Sequence, residues 1–202
     1  MTKELPHDTL TRILEACRHI VLTEGAAAVS TRKVAAAAQV PLSQIHYHCG
    51  SKRGLMLAMF AAENDRLVTR QAAMFAGNEP FDVQWRKACD YLDEDLESGY
   101  VRVLQEMITA GYSDAELRTQ VRTMLDRWAE LIRQALSHHY ERGLPLGPLS
   151  PAHVTALICA VFLGAETMLL MGQEGAATPI REALRALEPL IAQAHAAAYV
   201  EF

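Results

Sequence analysis

The chain has 202 residues, of which half are hydrophobic, and its formal net charge is −5. A chain of this length buries roughly 70% of its unfolded surface, so it needs no disulfide or metal to stabilise a core, and its hydrophobic content excludes a disordered protein. The four cysteines are scattered, and the N-terminal sequence MTKELPHD lacks the apolar run of an export signal. We therefore expect a cytoplasmic protein with reduced thiols.

The charge is divided unevenly along the chain. Residues 1–56 contain seven Lys and Arg against four Asp and Glu, a net +3, which leaves −8 for the rest of the chain. A basic N-terminal segment in an otherwise acidic chain directs the phosphate backbone of a nucleic acid to one end of the molecule.

The N-terminal segment predicts four helices. The first carries one apolar stripe and ends near Gly25; the stripe is Leu10, Ile13, Leu14, Cys17 and Val21. Ser30 is the expected N-cap of a short second helix that runs to about Ala38. Pro41 forces a turn before a third short helix. Gly50-Ser51 then separates this helix from a long fourth one. The third and fourth helices are predicted at about Leu42–His48 and Lys52–Phe75.

The remaining segments also have helical period, and none has a strand pattern. Helices are predicted at about 82–97, 100–110, 114–142, 151–173 and 179–199, which gives about nine in all. Ser113-Asp114-Ala115-Glu116 has a capping-box pattern. Ser150-Pro151 and Thr178-Pro179 each place an N-cap before a proline at the first helical position.

Val154 to Met171 is apolar enough to be considered as a membrane span, but Glu166 interrupts it. A helix that is apolar nearly all round is more simply buried on both sides, against its own domain and against a partner subunit. The last predicted helix also has an apolar face, which is formed by Ile180, Leu184, Leu187, Ile191 and Ala194. We therefore expect a homodimer that associates through the last two helices.

Ser30 to Lys52 has the layout of a helix-turn-helix, in which the second of two short helices enters the major groove of DNA. The surrounding residues from about Thr9 to Met59 resemble the DNA-binding domain of the tetracycline-repressor (TetR) family. The matching elements are Arg12-Ile13-Leu14 with Ala16, Glu24-Gly25, Ser30-Thr31-Arg32, Val34-Ala35, Ala38-Gln39-Val40, His46-Tyr47-His48, Gly50-Ser51-Lys52 and Leu55. The sequence departs from the family pattern at Gln39 (usually Gly), His46 (often Tyr) and Cys49 (usually Phe). Gln39 must accept the turn geometry at some cost if its φ is positive.

This resemblance implies an all-α fold with a three-helix DNA-binding domain, residues 1–56, and a helical ligand-binding and dimerisation domain, residues 57–202. Thr31 and Arg32 are expected to contact the phosphate backbone or a groove edge, and Lys52 to anchor a phosphate. The candidate contacts on the third helix are Leu42, Ser43, Gln44, His46 and Tyr47. Gln44 could bind adenine through N6 and N7, Leu42 could contact a thymine methyl, and His46 could donate to guanine, whereas Tyr47 fits a phosphate or sugar contact.

The resemblance further implies a repressor that a small molecule releases from an inverted-repeat DNA operator by shifting the fourth helix. Candidate lining residues for the effector are bulky or unexpectedly polar groups on apolar helices: Trp85, Met107, Trp128, Phe162, Glu166 and Met168. The carboxylates Asp90, Asp93, Glu94 and Glu97 follow one helix face, either as a solvated surface or as the lining for a cationic ligand.

There are three alternatives to this function. An architectural DNA-binding protein would have the same DNA-binding domain and no ligand. An enzyme is disfavoured because there is no nucleophile motif or phosphate-binding glycine loop, and no cofactor is expected. A metal site at His46-Tyr47-His48-Cys49 is disfavoured because His48 lies off the helix face that His46 and Cys49 share. Cys49 then fills an apolar core position, with a redox role as the weaker alternative.

Overall fold

A computed structural model describes residues 6–77 and 79–198. These residues form helices that are joined by turns and loops, and they contain no strand. The helices are α1 (Pro6–Glu24), a 3-10 turn (Ala26–Ala28), α2 (Thr31–Ala37), α3 (Leu42–Cys49), α4 (Lys52–Phe75), α5 (Phe81–Ser98), α6 (Tyr100–Ser113), α7 (Ala115–Glu141), α8 (Pro151–Leu170), α9 (Ile180–Arg185) and α10 (Leu187–Ala198). The all-α prediction is confirmed, and the predicted bounds of α4 coincide with the observed ones.

The single helix predicted at 179–199 is wrong, because the chain breaks at Ala186 into α9 and α10. Pro189 explains the break, since its ring lacks an N–H and would clash with the carbonyl of Arg185 in a continuous helix. The indole N–H of Trp85 donates to the carbonyl of Leu184 at 2.8 Å. A carbonyl at the end of α9 thereby gains a buried partner.

The predicted cap at Ser150 is confirmed. Its hydroxyl accepts the N–H of His153, and the His153 ring in turn faces the N–H of Ser150, with Pro151 in the first turn of α8. The predicted cap at Thr178 is wrong, because α9 begins only at Ile180.

The capping box predicted at Ser113 is also displaced. Ser113 is still part of α6, and its hydroxyl donates to the carbonyl of Ala110. Asp114 caps α7 instead, since its Oδ1 accepts the N–H groups of Glu116 and Leu117 at 3.1 and 3.0 Å.

The described chain divides into two compact units. The first unit comprises the residues up to Arg66 together with Arg102–Met124, and the second comprises Leu67–Val101 together with the residues from Leu125 onwards. The predicted functional boundary after residue 56 stays a prediction.

The core of the first unit joins α1 to the two short helices and to α4. The fully buried apolar side chains are Ile13, Cys17 and Val21 of α1, Val34 of α2, Ile45 of α3, Leu55, Met59 and Phe60 of α4, and Val103 and Met107 of α6. Three residues of the stripe predicted on α1 are therefore in the core, whereas Leu10 and Leu14 are half-buried. Truncating a buried Ile or Leu to Ala costs about 2–5 kcal/mol, so Ile45, the buried residue of α3, anchors that helix in the core.

The second unit contains two neighbouring apolar clusters. One cluster joins Trp85 and Leu92 of α5 to Phe162 of α8 and Leu184 of α9. The other centres on Phe81, Ile132, Leu136 and Leu144. Ile158 of α8 and Ile191 of α10 pack against both clusters, so the last helices share one core.

Helix α8 is long and apolar enough to cross a membrane by length and composition, with a mean hydropathy of 1.8. Only 22% of that apolar window is buried within the chain, and Leu157 and Val161 are 55% and 46% exposed. The chain itself therefore covers one side of α8. The expected burial of both sides of α8 therefore requires a partner subunit.

Gly54, in the first turn of α4, packs against the end of α3. A Cβ atom at this position would lie 2.0 Å from the carbonyl oxygen of Cys49, which is backbone and cannot rotate away. We expect Gly54→Ala to destabilise the protein by about 2 kcal/mol in urea denaturation, as overpacking does. Helix propensity alone predicts the opposite sign, a gain of about 1 kcal/mol, so a stabilised variant would contradict this close approach.

Candidate nucleic-acid interface

The turn between α2 and α3 is a Schellman motif. The N–H of Val40 bonds to the carbonyl of Ala35 at 3.0 Å, and the N–H of Gln39 bonds to that of Ala36 at 3.2 Å. This pattern requires a left-handed residue after the helix cap, and Gln39 adopts a φ of 55°. The positive φ that the sequence analysis considered is therefore present, at a position that glycine fits without strain.

Arg12 of α1 satisfies two more carbonyls of this turn. Its guanidinium donates to Ala38 at 2.7 Å and to Gln39 at 3.2 Å. The sequence pattern around Arg12 does not indicate this role. A cation close to the C-terminal end of a helix also interacts favourably with the helix dipole.

Helix α3 presents one buried and one exposed face. Ile45 is fully buried, whereas Ser43 and His46 are exposed, and Tyr47 is 80% exposed. The remaining two predicted contacts, Leu42 and Gln44, are half-buried. An exposed Tyr beside exposed polar side chains on a short, firmly anchored helix is the arrangement that a DNA-reading helix needs.

The Nδ1 atom of His46 lies 3.1 Å from the carbonyl oxygen of Gly50. If Nδ1 carries the proton for this hydrogen bond, the Nε2 atom of the neutral ring is an acceptor. Donation to guanine through Nε2 then requires the imidazolium form, and the neutral ring would accept from the amino group of adenine or cytosine.

The predicted phosphate contacts flank α3 in the chain. Thr31 begins α2 directly after Ser30, whose hydroxyl accepts the N–H of Lys33 at 3.2 Å. Arg32 is exposed. Lys52, also exposed, begins α4, and its Nζ atom donates to the carbonyl of Ala27 at 3.3 Å. An ammonium group held by a neutral carbonyl keeps its full charge for a phosphate.

Arg53 is a positioning residue that the sequence analysis missed. Its guanidinium bonds to Asp114 at 2.8 Å and also to Glu116. The pKa of the Asp114 carboxyl lies below its usual range, chiefly because the N–H of Leu117 bonds to it, with Arg53 contributing further. The first turn of α4, which carries Lys52, is thus tied to the start of α7. No local sequence signal identifies such a pair, because 61 residues separate its members.

The described cysteines are free thiols with raised pKa values, mainly because they are buried. The pKa reaches about 12 for Cys17 and about 11 for Cys89 and Cys159, and it is also raised for Cys49. A protonated thiol is a poor nucleophile, which disfavours the redox alternative for Cys49. In the described part of the chain, no group of three or more His, Cys, Asp or Glu side chains is placed to hold a metal ion.

Three of the six predicted effector contacts meet in the second unit. The ring of Phe162 stands edge-on to Trp85 and to Trp128, with centroids 5.7 and 6.4 Å apart. Glu166 is buried one turn beyond Phe162 on α8, and Met168 is half-buried on the same helix. Met107, in contrast, is fully buried in the first unit.

The acidic stripe on α5 binds arginines of α9. Arg181 donates to Asp93 at 2.6 Å, and Arg185 donates to Asp90 and Asp93 at 2.7 and 2.9 Å. Farther along α5, Glu94 pairs with Arg70, whereas Glu97 is exposed. The stripe is therefore largely neutralised within the unit, which disfavours a lining for a cationic ligand.

His139 lies in the last turn of α7. It is buried, and its Nε2 atom lies 3.0 Å from the Oε1 atom of Gln84. The amide nitrogen of Gln84 donates to the carbonyls of Gly77 and Glu79. This buried network joins α7 to the start of α5 and to the loop before it.

Solved structures with a similar fold include transcriptional regulators. A TetR transcription regulator from Haloarcula marismortui has a TM-score of 0.76 at 18% identity, over 94% of this chain and 98% of its own. The chain has the fold of TetR-family regulators. A regulator from Saccharomonospora viridis in complex with choline has a TM-score of 0.73 at 19% identity, over 90% and 95% of the two chains. FadR from Bacillus subtilis in complex with stearoyl-CoA has a TM-score of 0.71 at 14% identity, over 88% and 96%.

No protein-family model matches the chain, and no curated protein matches its sequence. The likeness to the TetR fold covers about nine-tenths of the chain, so it extends well beyond the quarter that the sequence motifs covered.

We expect Asp93 to make the stability of the protein depend on pH. Burial alone would raise the pKa of its carboxyl, but the hydrogen bonds from Arg181 and Arg185 outweigh burial and lower it. A lowered folded-state pKa contributes stability above the unfolded-state pKa of about 3.9, and this stability is lost as the pH falls through the folded-state value. We expect Asp93→Asn to cost up to about 1 kcal/mol at pH 7 and close to nothing at low pH.

Urea denaturation at both pH values measures this difference. Glu97→Gln, which neutralises an exposed carboxylate on the same helix, is the matched control. A loss for Asp93→Asn that is equal at both pH values would exclude the ion pairs as its cause.

Proposed function

We propose that this chain is a homodimeric, ligand-responsive DNA-binding transcriptional regulator, and specifically a repressor that a small molecule releases from its operator. The observation that carries this proposal is the exposed polar and aromatic face of α3, held on a helix-turn-helix within a TetR fold. We expect it to act in the cytoplasm, where its DNA is, and to have no enzymatic activity.

The proposed DNA contacts divide by chemistry. Gln44 and Leu42 contact base edges, and His46 reads a base through Nε2. Thr31, Arg32 and Lys52 contact phosphates on either side, together with Tyr47. Ser43 is exposed on the same helix, and its hydroxyl is placed for either a base edge or a phosphate. The net +3 of residues 1–56 supports this placement, since an acidic protein would otherwise be repelled by DNA.

The proposed effector site lies in the second unit. Two proteins of the same fold were solved with small molecules, choline in one and stearoyl-CoA in the other. Such chemically different ligands support an effector for this chain without identifying it. The aromatic rings of Trp85, Trp128 and Phe162, with the buried Glu166 one turn away, are the proposed lining. Release requires that the effector bind the DNA-incompetent state more tightly than the competent one.

The proposed dimer associates through α8 and α10. Leu157 and Val161 of α8, together with Leu187 and Leu190 of α10, are exposed apolar side chains on helices that share one core. Large exposed apolar patches mark association surfaces. Two helices from each subunit would then form a four-helix interface. The helix-turn-helix of each subunit would bind one half of an inverted repeat.

Selection of bound sequences from a random DNA pool, followed by the salt dependence of the best binder, tests the function. We expect an inverted repeat that is bound in the nanomolar range with a steep salt slope. Lys52→Ala should weaken binding to all sequences alike and lower the salt slope by about 1 per protomer, whereas Gln44→Ala should change which sequence is preferred. Weak binding without sequence preference would contradict the proposal and favour an architectural protein.

A charge in the apolar patch tests the dimer. Leu190 is 58% exposed in the single chain, so Leu190→Glu should leave the subunit folded and convert the dimer to monomers in sedimentation. Leu149→Glu places the same charge at another exposed leucine, in the loop before α8, and should leave the dimer intact. Dimers of unchanged stability in Leu190→Glu would place the interface elsewhere.

A further inference from the structure

Gln39 is the only non-glycine residue with a positive φ among the described residues. The other six residues with a positive φ, all glycines, include Gly25 and Gly50 at the neighbouring helix ends. A side chain with a Cβ atom is disfavoured in the left-handed region, and glycine is not. The Schellman turn explains why this backbone conformation is needed, but it does not explain why glutamine occupies it.

The side chain of Gln39 takes no visible part in holding the fold together. The residue is exposed, and within the described part of the chain its side-chain amide makes no hydrogen bond, whereas its backbone N–H and carbonyl both do. Residues held in disfavoured backbone conformations concentrate at functional sites, because function retains what stability alone would not. The strain therefore points to a use for the amide outside the chain.

The position of Gln39 indicates what that use is. Its side chain lines a cleft of about 380 Å³ together with Thr9 of α1 and with Gln44, Tyr47 and His48 of α3. Gln44 and Tyr47 belong to the proposed reading face. Gln39 itself precedes α3 in the turn, so it lies beside the reading helix. A side chain at the edge of a reading helix is placed for the DNA backbone, and side-chain amides are common donors to phosphate oxygens.

We propose that Gln39 is a further DNA contact of this chain, whose side-chain amide donates a hydrogen bond to a phosphate oxygen next to the reading helix. This inference rests on the proposed DNA-binding function and adds a residue that the helix-turn-helix pattern does not supply.

Gln39→Gly separates the two roles, because it should change stability and binding in opposite directions. Removing the strain should raise Tm by about 2 °C for a chain of this size. Removing a hydrogen bond to a charged group in each subunit should weaken binding of the dimer to the selected operator by about a hundredfold. The loss should be equal on unrelated DNA, and the salt slope should stay unchanged, since a neutral amide releases no counterion.

Gln39→Glu keeps the shape of the side chain and replaces its donor with a carboxylate that phosphate repels. We expect this variant to bind DNA more weakly than Gln39→Gly. Gln120→Glu makes the same charge change at an exposed residue of α7, outside the helix-turn-helix, and should bind as the wild type does.

Wild-type affinity in Gln39→Gly overturns the inference, as does a loss in Gln39→Glu no greater than that in Gln120→Glu. A changed sequence preference in Gln39→Gly also overturns it, because that result would assign Gln39 to a base. These failures are distinct from failure of the proposed function, in which the wild type itself selects no sequence and Lys52→Ala changes nothing.

Discussion

The last turn of α2 leaves backbone carbonyls without helical partners at the point where the chain must reverse direction. Two hydrogen bonds of the Schellman turn and two from Arg12 satisfy them. On the far side of the turn, Ile45 is fully buried and fixes the rotation of α3 about its own axis. The exposed face of α3 is therefore determined by what the opposite face buries, and every proposed base contact depends on that rotation.

The same constraint explains the position of Lys52. Helix α3 ends at Cys49 and is followed by Gly50, which adopts a φ of 70°. Helix α4 begins at Lys52, and its Gly54 lies close to the carbonyl of Cys49. Arg53 ties this first turn of α4 to Asp114. Lys52 therefore starts a helix whose first turn is held on both sides, so its position relative to α3 is fixed. A residue that sets the position of the protein on the DNA backbone must be held in this way.

The second unit is built from longer-range interactions of a different kind. Aromatic packing between Trp85 and Phe162 and the ion pairs from α9 to α5 join segments that lie far apart in the sequence. The break at Ala186 lets the indole of Trp85 reach the backbone of α9. Trp85, itself part of the proposed effector lining, thus also contacts the helix pair that ends in the proposed dimer interface.

The sequence predicted the helix-turn-helix well because its signals are local: the cap at Ser30, the turn before Pro41 and the period of the apolar residues on α1. The break at Ala186 also has a local signal, Pro189. The apolar residues from Ile180 to Ala194, however, keep one helical period across the break, and this period predicts a single helix. The burial of His139, the pairing of Arg53 and the close approach at Gly54 were not predictable, because each depends on a partner in a different helix.

Hydrogen–deuterium exchange of the full chain, with and without its selected DNA, tests the central claim most directly, because it locates the interface without altering a residue. If α3 is the reading helix, DNA should slow exchange at the start of α2, through α3 and in the first turn of α4. Unchanged exchange in these segments, with protection elsewhere in the chain, would contradict the assignment of α3 as the reading helix.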